Sequence, residues 1–376
     1  MTNTDDRPSD IWTLSGRAPG EGPHADAPAM RVIRLSGIEP LDRQIGAFPR
    51  RTVPDMLRRH LFAPQAPGAE DRAMGHDAPP LRLFAVLDGA KVPDVEETLA
   101  ASGLPHLCLF KGRAAEELGA AAPWLVELDE GADLLRRLFT RSAAPRDLWD
   151  AEAALFLRSR GDMHMLHRHL RRFTQLPDGG RLVLFRFWQP DLMVDILSAD
   201  RDQEVIARSF LAVGQPWQIL DVIGLDRDGD GAAIHLPAAP PEGPVPVPAL
   251  DGRLGVLLSE AMRRRRIRDM ARALRGDFAT ELAAVPLRDL RDHVGASIRR
   301  SRDLRFTRLP LIYMLAAWEL FYGPLTQIRD PEGILVQTLS STLDEDGRFR
   351  RIQARLQVLD RQGLLPRGIA SFEGDA

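Results

Sequence analysis

The chain has 376 residues, of which 44% are hydrophobic and 27% charged, with a formal net charge of -3. This composition is typical of a globular protein with two or more domains and gives no general indication of nucleic-acid binding. Cys108 is the one cysteine, which excludes an internal disulfide and a cysteine-based zinc cluster.

The sequence carries no visible signal for export or membrane insertion. Its start, MTNTDDRPSD, lacks the basic and apolar regions of a signal peptide. The longest apolar run, residues 309–318, is far shorter than the roughly 20 residues that span a bilayer. We therefore expect a cytoplasmic protein. Residues 1–30 are rich in Pro, Gly, Asp and Ala and are expected to be disordered.

Residues 31–248 are predicted to form an α/β domain with a linker at 63–80. Apolar runs alternate with helical segments, which predicts a mainly parallel layered sheet flanked by helices. The predicted strands are 30–37, 83–87, 107–110, 124–128, 153–157 and 181–187. The predicted helices are 53–62, 92–102, 113–118, 132–140, 163–173, one that begins at Pro190, and 203–213.

Two further regions follow these elements. Residues 217–223 and 232–236 are predicted to form a β-hairpin, and residues 237–248 a proline-rich connector. Residues 249–376 are predicted to form a helical C-terminal lobe. Its predicted helices are 253–275, 287–300, 311–322 and 349–359.

The segment RLVLFRFWQPDLMVDIL at residues 181–197 places one charge, Arg186, inside a run typical of a strand buried on both faces. An unpaired charge there would cost several kcal/mol, so Arg186 should have a partner or reach the surface. Asp88, which follows strand 83–87, is the expected partner in a bidentate pair. Such a pair is compatible with a structural or a recognition role.

A histidine cluster raises the question of a metal site. His164 and His167 have i, i+3 spacing on a predicted helix and could face one metal ion, whereas His169 points elsewhere. No HExxH pattern or nearby carboxylate at ligand spacing accompanies them, so a polar helix face is favoured.

Three other patterns imitate ligand sites. Asp226, Asp228 and Asp230 resemble half a calcium loop, but Pro237 replaces its glutamate, and a hairpin turn is favoured. The DGAK turn at 88–91 lacks the spacing of a phosphate-binding loop. The arginines at 263–266 are best explained as a solvated helix face. No nucleophile elbow or catalytic triad can be assembled.

Five segments follow one another in a familiar order and spacing. They are LFAVLDGA at Leu83, LCLFKG at Leu107, APWLVEL at Ala122, LHRHLRRF at Leu166 and LPDGGRLVLFRFWQP at Leu176. The set resembles the adaptor, or effector-chaperone, family of bacterial type VI secretion systems (the DUF4123 domain), over about residues 53–236. The family usually has an aspartate where this chain has Gln189, which makes Asp88 more important for neutralising Arg186.

The resemblance implies a non-enzymatic binding protein without cofactor or metal. Such adaptors hold a toxic effector and load it onto the trimeric VgrG spike, sometimes with a PAAR tip. The variable helical part would serve effector choice. The positions that match the family motifs are the binding candidates: Asp88, Gly89, Trp124, His169, Arg171, Arg186, Trp188, Gln189 and Pro190. Aromatic residues are further candidate anchors for partners: Trp124, Trp188, Trp217, Trp318, Phe321 and Tyr322.

Two alternatives stay open. An α/β enzyme or binding protein for a nucleotide or phosphate would need a pocket at the carboxyl ends of the strands, near Asp88 and Gln189. An immunity protein would neutralise a toxin instead of loading it.

Overall fold

A computed structural model of the chain describes residues 30–64, 79–202, 204–213, 218–236, 246–250, 252–366 and 369. Most residues of the segments predicted as disordered (1–30), as a linker (63–80) and as a connector (237–248) lie outside these ranges. The chain divides into two compact units, one ending at Pro248 and the other beginning at Ala249. Within the described ranges, every helix is too short or too polar to cross a bilayer.

The first unit is built around a β-sheet. Its described strands are β1 (Arg31–Leu35), β2 (Arg82–Asp88), β3 (His106–Cys108), β4 (Pro123–Leu128), β5 (Ala154–Ser159), β6 (Gln175–Asp178), β7 (Arg181–Leu184), β8 (Ile219–Leu225) and β9 (Gly231–His235). Seven of them form one sheet in the order β1-β9-β8-β5-β2-β4-β3. Every neighbouring pair in that sheet is antiparallel.

The prediction of a mainly parallel sheet is therefore wrong. Strands β2 and β3 run in the same direction, but β4 lies between them; β4 and β5 also share a direction, but β2 lies between them. The connection from β2 to β3 passes β4, and the connection from β4 to β5 passes β2. Each of these parallel pairs is therefore separated by a strand that runs the opposite way. Alternation of helices and strands determines neither which strands become neighbours nor their direction, since β3 and β4 are joined through the helix Arg113–Leu118 and still pair antiparallel.

Strands β6 and β7 form a separate two-stranded hairpin. Gly179 and Gly180 join them with φ angles of +53° and +86°, which suit the type I′ turn of a two-residue hairpin. The predicted buried strand at 181–187 is wrong, because β7 ends at Leu184 and its residues are exposed or half-buried. Only the second half of the apolar run is packed inside, where Phe185, Phe187 and Trp188 are buried beyond the end of β7.

Helices surround the main sheet. In the described part of the first unit they are α1 (Asp55–Phe62), α2 (Val95–Ser102), α3 (Arg113–Leu118), α4 (Asp133–Phe139), α5 (Met163–Arg171), α6 (Pro190–Ala199) and α7 (Val205–Leu211). Leu57 of α1, Val95 of α2 and Leu135 of α4 pack with Ala85 and Leu87 of β2 in one hydrophobic core. These three helices therefore cover one face of the sheet.

Helix α6 covers the opposite face. Ile223 and Leu225 of β8 belong to the core just described, so side-chain alternation turns Gly224 the other way. A Cβ atom at Gly224 would lie 2.5 Å from the carbonyl oxygen of Pro190 and 2.8 Å from Cγ1 of Val194. Strand β8 and the first turn of α6 thus pack at a distance that only glycine allows.

The second unit is helical in its described residues. Its helices are α8 (Arg253–Asp277), α9 (Leu287–Asp303), α10 (Leu309–Tyr322), α11 (Ile334–Leu339) and α12 (Glu345–Arg361). Helix α11 was not predicted. Leu315 of α10 is packed in a core with Val294 of α9 and Ile352 of α12. The basic run at 263–266 lies on α8, where Arg263 pairs with Glu260 at 2.7 Å.

Replacing Gly224 by alanine tests the close packing of α6 on β8. Gly224→Ala should lower the free energy of unfolding by about 1–3 kcal/mol, because the new methyl group overlaps the Pro190 carbonyl oxygen. Gly131→Ala is the matched control, since a Cβ atom there meets no atom within 4 Å. Urea unfolding measures both variants. Equal stability of the two would contradict the packing.

Candidate functional site

Asp88 is the last residue of β2 and is buried. Its backbone N–H donates to the carbonyl of Ala153 at 2.8 Å, and the next N–H, of Gly89, donates to the carbonyl of Ala122 at 3.0 Å. The end of β2 is therefore fixed from both sides by the chain before β5 and the chain before β4. This arrangement carries the Asp88 carboxylate into a place without solvent.

Gly89 has a structural explanation. A Cβ atom at this position would lie 2.5 Å from the carbonyl oxygen of Ala122, a distance that no larger residue tolerates. Gly89 begins a short 3₁₀ turn that ends at Lys91, and the Lys91 ammonium donates to the carbonyl of Glu152 at 3.1 Å. The glycine and lysine of the DGAK turn thus have roles inside the protein.

Arg186 is paired with Asp88. Its Nη2 donates to Oδ2 of Asp88 at 2.8 Å, and the side chains of Arg186 and Asp88 are 41% and 1% exposed. One such bond is present, not the bidentate pair expected. Oδ1 of Asp88 and Nε of Arg186 are buried, and neither has a hydrogen-bond partner within the described ranges. Arg186 therefore both compensates a buried carboxylate and reaches the surface.

Trp188 lies beside this ion pair. The Arg186 guanidinium carbon is 5.8 Å from the centre of the Trp188 ring, within the range of a cation–π contact. The indole is buried and meets Phe110 and Phe187 edge-on, at centroid distances of 6.3 and 5.5 Å. Trp188 is thus a core residue and not an exposed anchor.

Gln189 and Pro190 connect this cluster to α6. The Gln189 N–H donates to the carbonyl of Arg186 at 3.2 Å, and its own carbonyl accepts from Met193 N–H at 3.0 Å. Gln189 is the N-cap residue of α6, and Pro190 is its first residue, where a proline costs no hydrogen bond. Gln189 therefore lies at the start of a helix, three residues after Arg186.

A row of aromatic rings extends from this cluster to His169. Consecutive centroids are 5.2 Å apart between His169 and Phe173, 5.1 Å between Phe173 and Phe210, and 5.4 Å between Phe210 and Phe187. The buried His169 donates through Nε2 to the carbonyl of Phe210 at 2.8 Å. Burial is the main reason that the pKa of His169 falls to about 4, so the ring is neutral near pH 7.

The three histidines of α5 do not converge. His167 contacts the carbonyl of Cys108 at 2.8 Å, His169 contacts that of Phe210, and His164 is exposed. Across the ranges that the structure describes, no three potential metal-ligating side chains form a group.

Asp226 is part of the turn between β8 and β9, where its Oδ1 accepts from the N–H groups of Asp228 and Asp230 at 2.9 and 3.1 Å.

Two candidate residues lie apart from the ion pair. Trp124 pairs with Leu87 in the β2–β4 register, so its side chain points to the sheet face opposite that of Asp88. Its indole N–H donates to the carbonyl of Gly119 at 3.0 Å. Arg171 is half-buried, and its backbone carbonyl accepts from the Thr174 hydroxyl at 2.8 Å.

The candidate aromatic residues of the second unit, Trp318, Phe321 and Tyr322, are half-buried. Trp318 stacks on Phe349 at 4.9 Å, and Phe321 meets Phe278 edge-on at 4.9 Å. Tyr322 packs at the margin of the helical core. Trp217 lies outside the described residues. Each of the described rings thus has at least one face inside its own unit.

A buried charge network in the main sheet was missed in the sequence. Arg158 Nη1 donates to Oδ2 of Asp221 at 3.1 Å, and Nδ1 of His235 lies 2.8 Å from Oδ1 of the same carboxylate. Arg158 also donates to the backbone carbonyl of His60 at 3.3 Å. The sequence contains a signal for this network, because Arg158 interrupts the apolar run ALFLRS in the same way that Arg186 interrupts LVLFRF.

The described part of the first unit has clefts at its surface. One of about 700 Å³ lies between α2 and α4, and one of about 430 Å³ lies beside the first residues of β2. Asp88 ends β2, so both clefts lie toward the other end of the central strands, and neither is lined by Asp88 or Gln189. These two clefts are therefore separate from the Asp88–Arg186 pair.

Comparison with known proteins gives one match. Residues 83–206 are similar to a family described as a domain of unknown function (DUF4123). No curated protein and no solved structure matches the chain. The matched region begins in β2 and ends in α7, so it contains Asp88, Arg186, the β6–β7 hairpin and the aromatic row except Phe210.

Removing the Arg186 guanidinium tests its structural role. Arg186→Ala should lower the free energy of unfolding by about 3 kcal/mol, because the buried Asp88 carboxylate loses its counter-charge. The double variant Asp88→Asn/Arg186→Ala should be less destabilised than the sum of the single changes. Arg181→Ala, at an exposed arginine of β7, is the control. Unchanged stability of Arg186→Ala together with lost partner binding would make Arg186 a contact residue instead.

Burial of His169 predicts a pH dependence of stability. The pKa of His169 is about 4 in the folded state against 6.5 for the free group, so the unfolded chain binds more protons between these values. Stability is therefore lost as pH falls from 7 toward 4, by about 2 kcal/mol at pH 5. His169→Gln keeps an N–H donor for Phe210 and should remove this part of the pH slope, whereas His164→Gln should not. Identical slopes for wild type and His169→Gln would contradict the assignment.

Proposed function

We propose that the chain is a non-enzymatic adaptor of a bacterial type VI secretion system. It binds a cognate toxic effector in the cytoplasm of the producing cell and loads it onto the VgrG spike, without a cofactor. The ordered series of motifs between residues 83 and 190 carries the proposal. The similarity of residues 83–206 to DUF4123 supports it, since those motifs lie within the matched region.

The contacts of the candidate residues agree with a binding lobe. Asp88 and Arg186 compensate each other, Gly89 permits a close backbone approach, and Trp188 fills a core. These residues build the lobe, so partner recognition belongs to surfaces that they support. Interface energies depend on a few well-placed side chains on a rigid base, which is what such a lobe supplies.

The two units are suited to binding different partners. The matched region lies wholly within the first unit, whereas the second unit is helical and lies outside it. We assign the shared task, spike binding, to the first unit and the choice of effector to the second. This division keeps one partner constant while the other varies.

Co-purification tests the proposal. The tagged full-length chain, co-produced with the proteins encoded on either side of its gene, should retain both the toxic effector and the VgrG spike. An effector from an unrelated gene cluster is the control and should not be retained. Recovery of neither protein would contradict the adaptor function.

Two further results would favour the alternatives. Protection of a recipient cell from the toxin would indicate an immunity protein. A rise in melting temperature with common nucleotides would indicate a ligand-binding protein or an enzyme.

A further inference from the structure

The β6–β7 hairpin exposes apolar side chains that the fold does not use. Leu182 and Leu184 of β7 are 70% and 50% exposed. Residues directly opposite in a hairpin share a face, and the register pairs Leu182 with Pro177 and Leu184 with Gln175. The other face carries the buried Leu176 and points into the unit. The outer face is thus mainly apolar and open.

Within the described residues, β7 has a neighbouring strand on one side only, which is β6. Phe185 N–H donates to the carbonyl of Thr174 at 2.9 Å, which continues the hairpin ladder by one pair. Hydrogen-bonded and non-hydrogen-bonded pairs alternate in an antiparallel ladder. The next hydrogen-bonded pairs are therefore Val183 with Leu176 and Arg181 with Asp178. The N–H and C=O groups of Leu182 and Leu184 consequently point away from β6.

The two edges of the hairpin differ in what they offer. The outward positions of β6 are Gln175 and Pro177, and a proline has no N–H to donate, so this edge resists pairing. The outward positions of β7 are Leu182 and Leu184, which keep both donor and acceptor groups. The hairpin thus offers one complete edge, next to its apolar face.

Positive charge flanks this edge. Arg181, beside the turn, is 79% exposed, and its ion pair with Asp178 spans 3.8 Å, longer than a hydrogen bond. Arg186, beyond the other end of β7, is 41% exposed above the buried Asp88. A segment with an acidic residue near either end would complement these guanidinium groups.

We propose that β7 binds an extended segment of a partner protein, which adds a third strand to the hairpin. The segment would pair with the backbone of Leu182 and Leu184, cover their side chains with alternating apolar residues, and place acidic residues near Arg181 or Arg186. The proposal deepens the adaptor function and rests on it for the partner. The hairpin lies within residues 83–206, so we assign the segment to the spike.

Peptide binding tests the edge directly. An array of overlapping 15-residue peptides covering the spike and effector sequences should contain at least one spike peptide that binds the full-length chain. Leu182→Pro removes the outward N–H and the leucine side chain but no hydrogen bond to β6, and it should weaken that peptide at least tenfold. Leu182→Ser/Leu184→Ser should weaken it to a similar degree through the lost apolar contact.

Met56→Ser is the matched control, since Met56 is an exposed apolar residue of the same unit, and it should leave binding unchanged. Circular dichroism should show each variant folded. An array without a binding peptide, binding that ignores Leu182→Pro, or binding confined to effector peptides would overturn the proposal. A homodimer broken by Leu182→Pro would overturn it in favour of a second copy on the edge.

These results are separate from the co-purification test. If the Leu182→Pro variant retains the intact spike as well as wild type does, the adaptor function is supported and binding of the spike at the β7 edge is refuted. If a peptide binds only when Leu182 is present, but neither intact protein co-purifies, binding at the β7 edge is supported and the adaptor function is refuted.

Discussion

The buried carboxylate of Asp88 is the constraint on which the first unit depends. Strand β2 lies between β4 and β5 in the sheet, and its last residue has no access to water. A carboxylate in that position needs a counter-charge close by. Arg186 supplies it at 2.8 Å from the segment that joins β7 to α6. The ion pair therefore fixes where the chain leaves the hairpin and enters the helix.

Several contacts follow from that fixed point. Trp188, two residues after Arg186, is held in the aromatic row that continues through Phe187 and Phe210 to His169. Pro190 then starts α6 against Gly224, at a distance that excludes any side chain. One electrostatic requirement at the end of the central strand is thus transmitted to the packing of α6 and α7. Most of the candidate residues named from the sequence lie along this path.

The same path leaves the hairpin outside the core. Its inner residue Leu176 is buried, whereas Leu182 and Leu184 on the outer face are not. A rigid interior that carries an open strand edge is a suitable base for a recognition surface, because the edge is held in place before a partner arrives. The buried residues around Asp88 and Arg186 therefore support the fold, whereas the neighbouring Leu182 and Leu184 are the proposed contact residues.

Local patterns determined much of this protein in advance: the hairpin turn that begins at Asp226, the helix start at Pro190, most helix positions, and the need of Arg186 for a partner. The turn and the helices follow from backbone preferences and periodicity over a few residues. The partner of Arg186 follows because a buried charge requires compensation in any fold. Tertiary structure alone decided that β4 lies between β2 and β3, that the Asp88–Arg186 contact is a single hydrogen bond, and that Leu182 and Leu184 face outward. Those outcomes depend on which distant segments pack together, because an apolar run such as RLVLFRFW has the same local pattern whether its leucines are covered by the sheet or exposed at the surface.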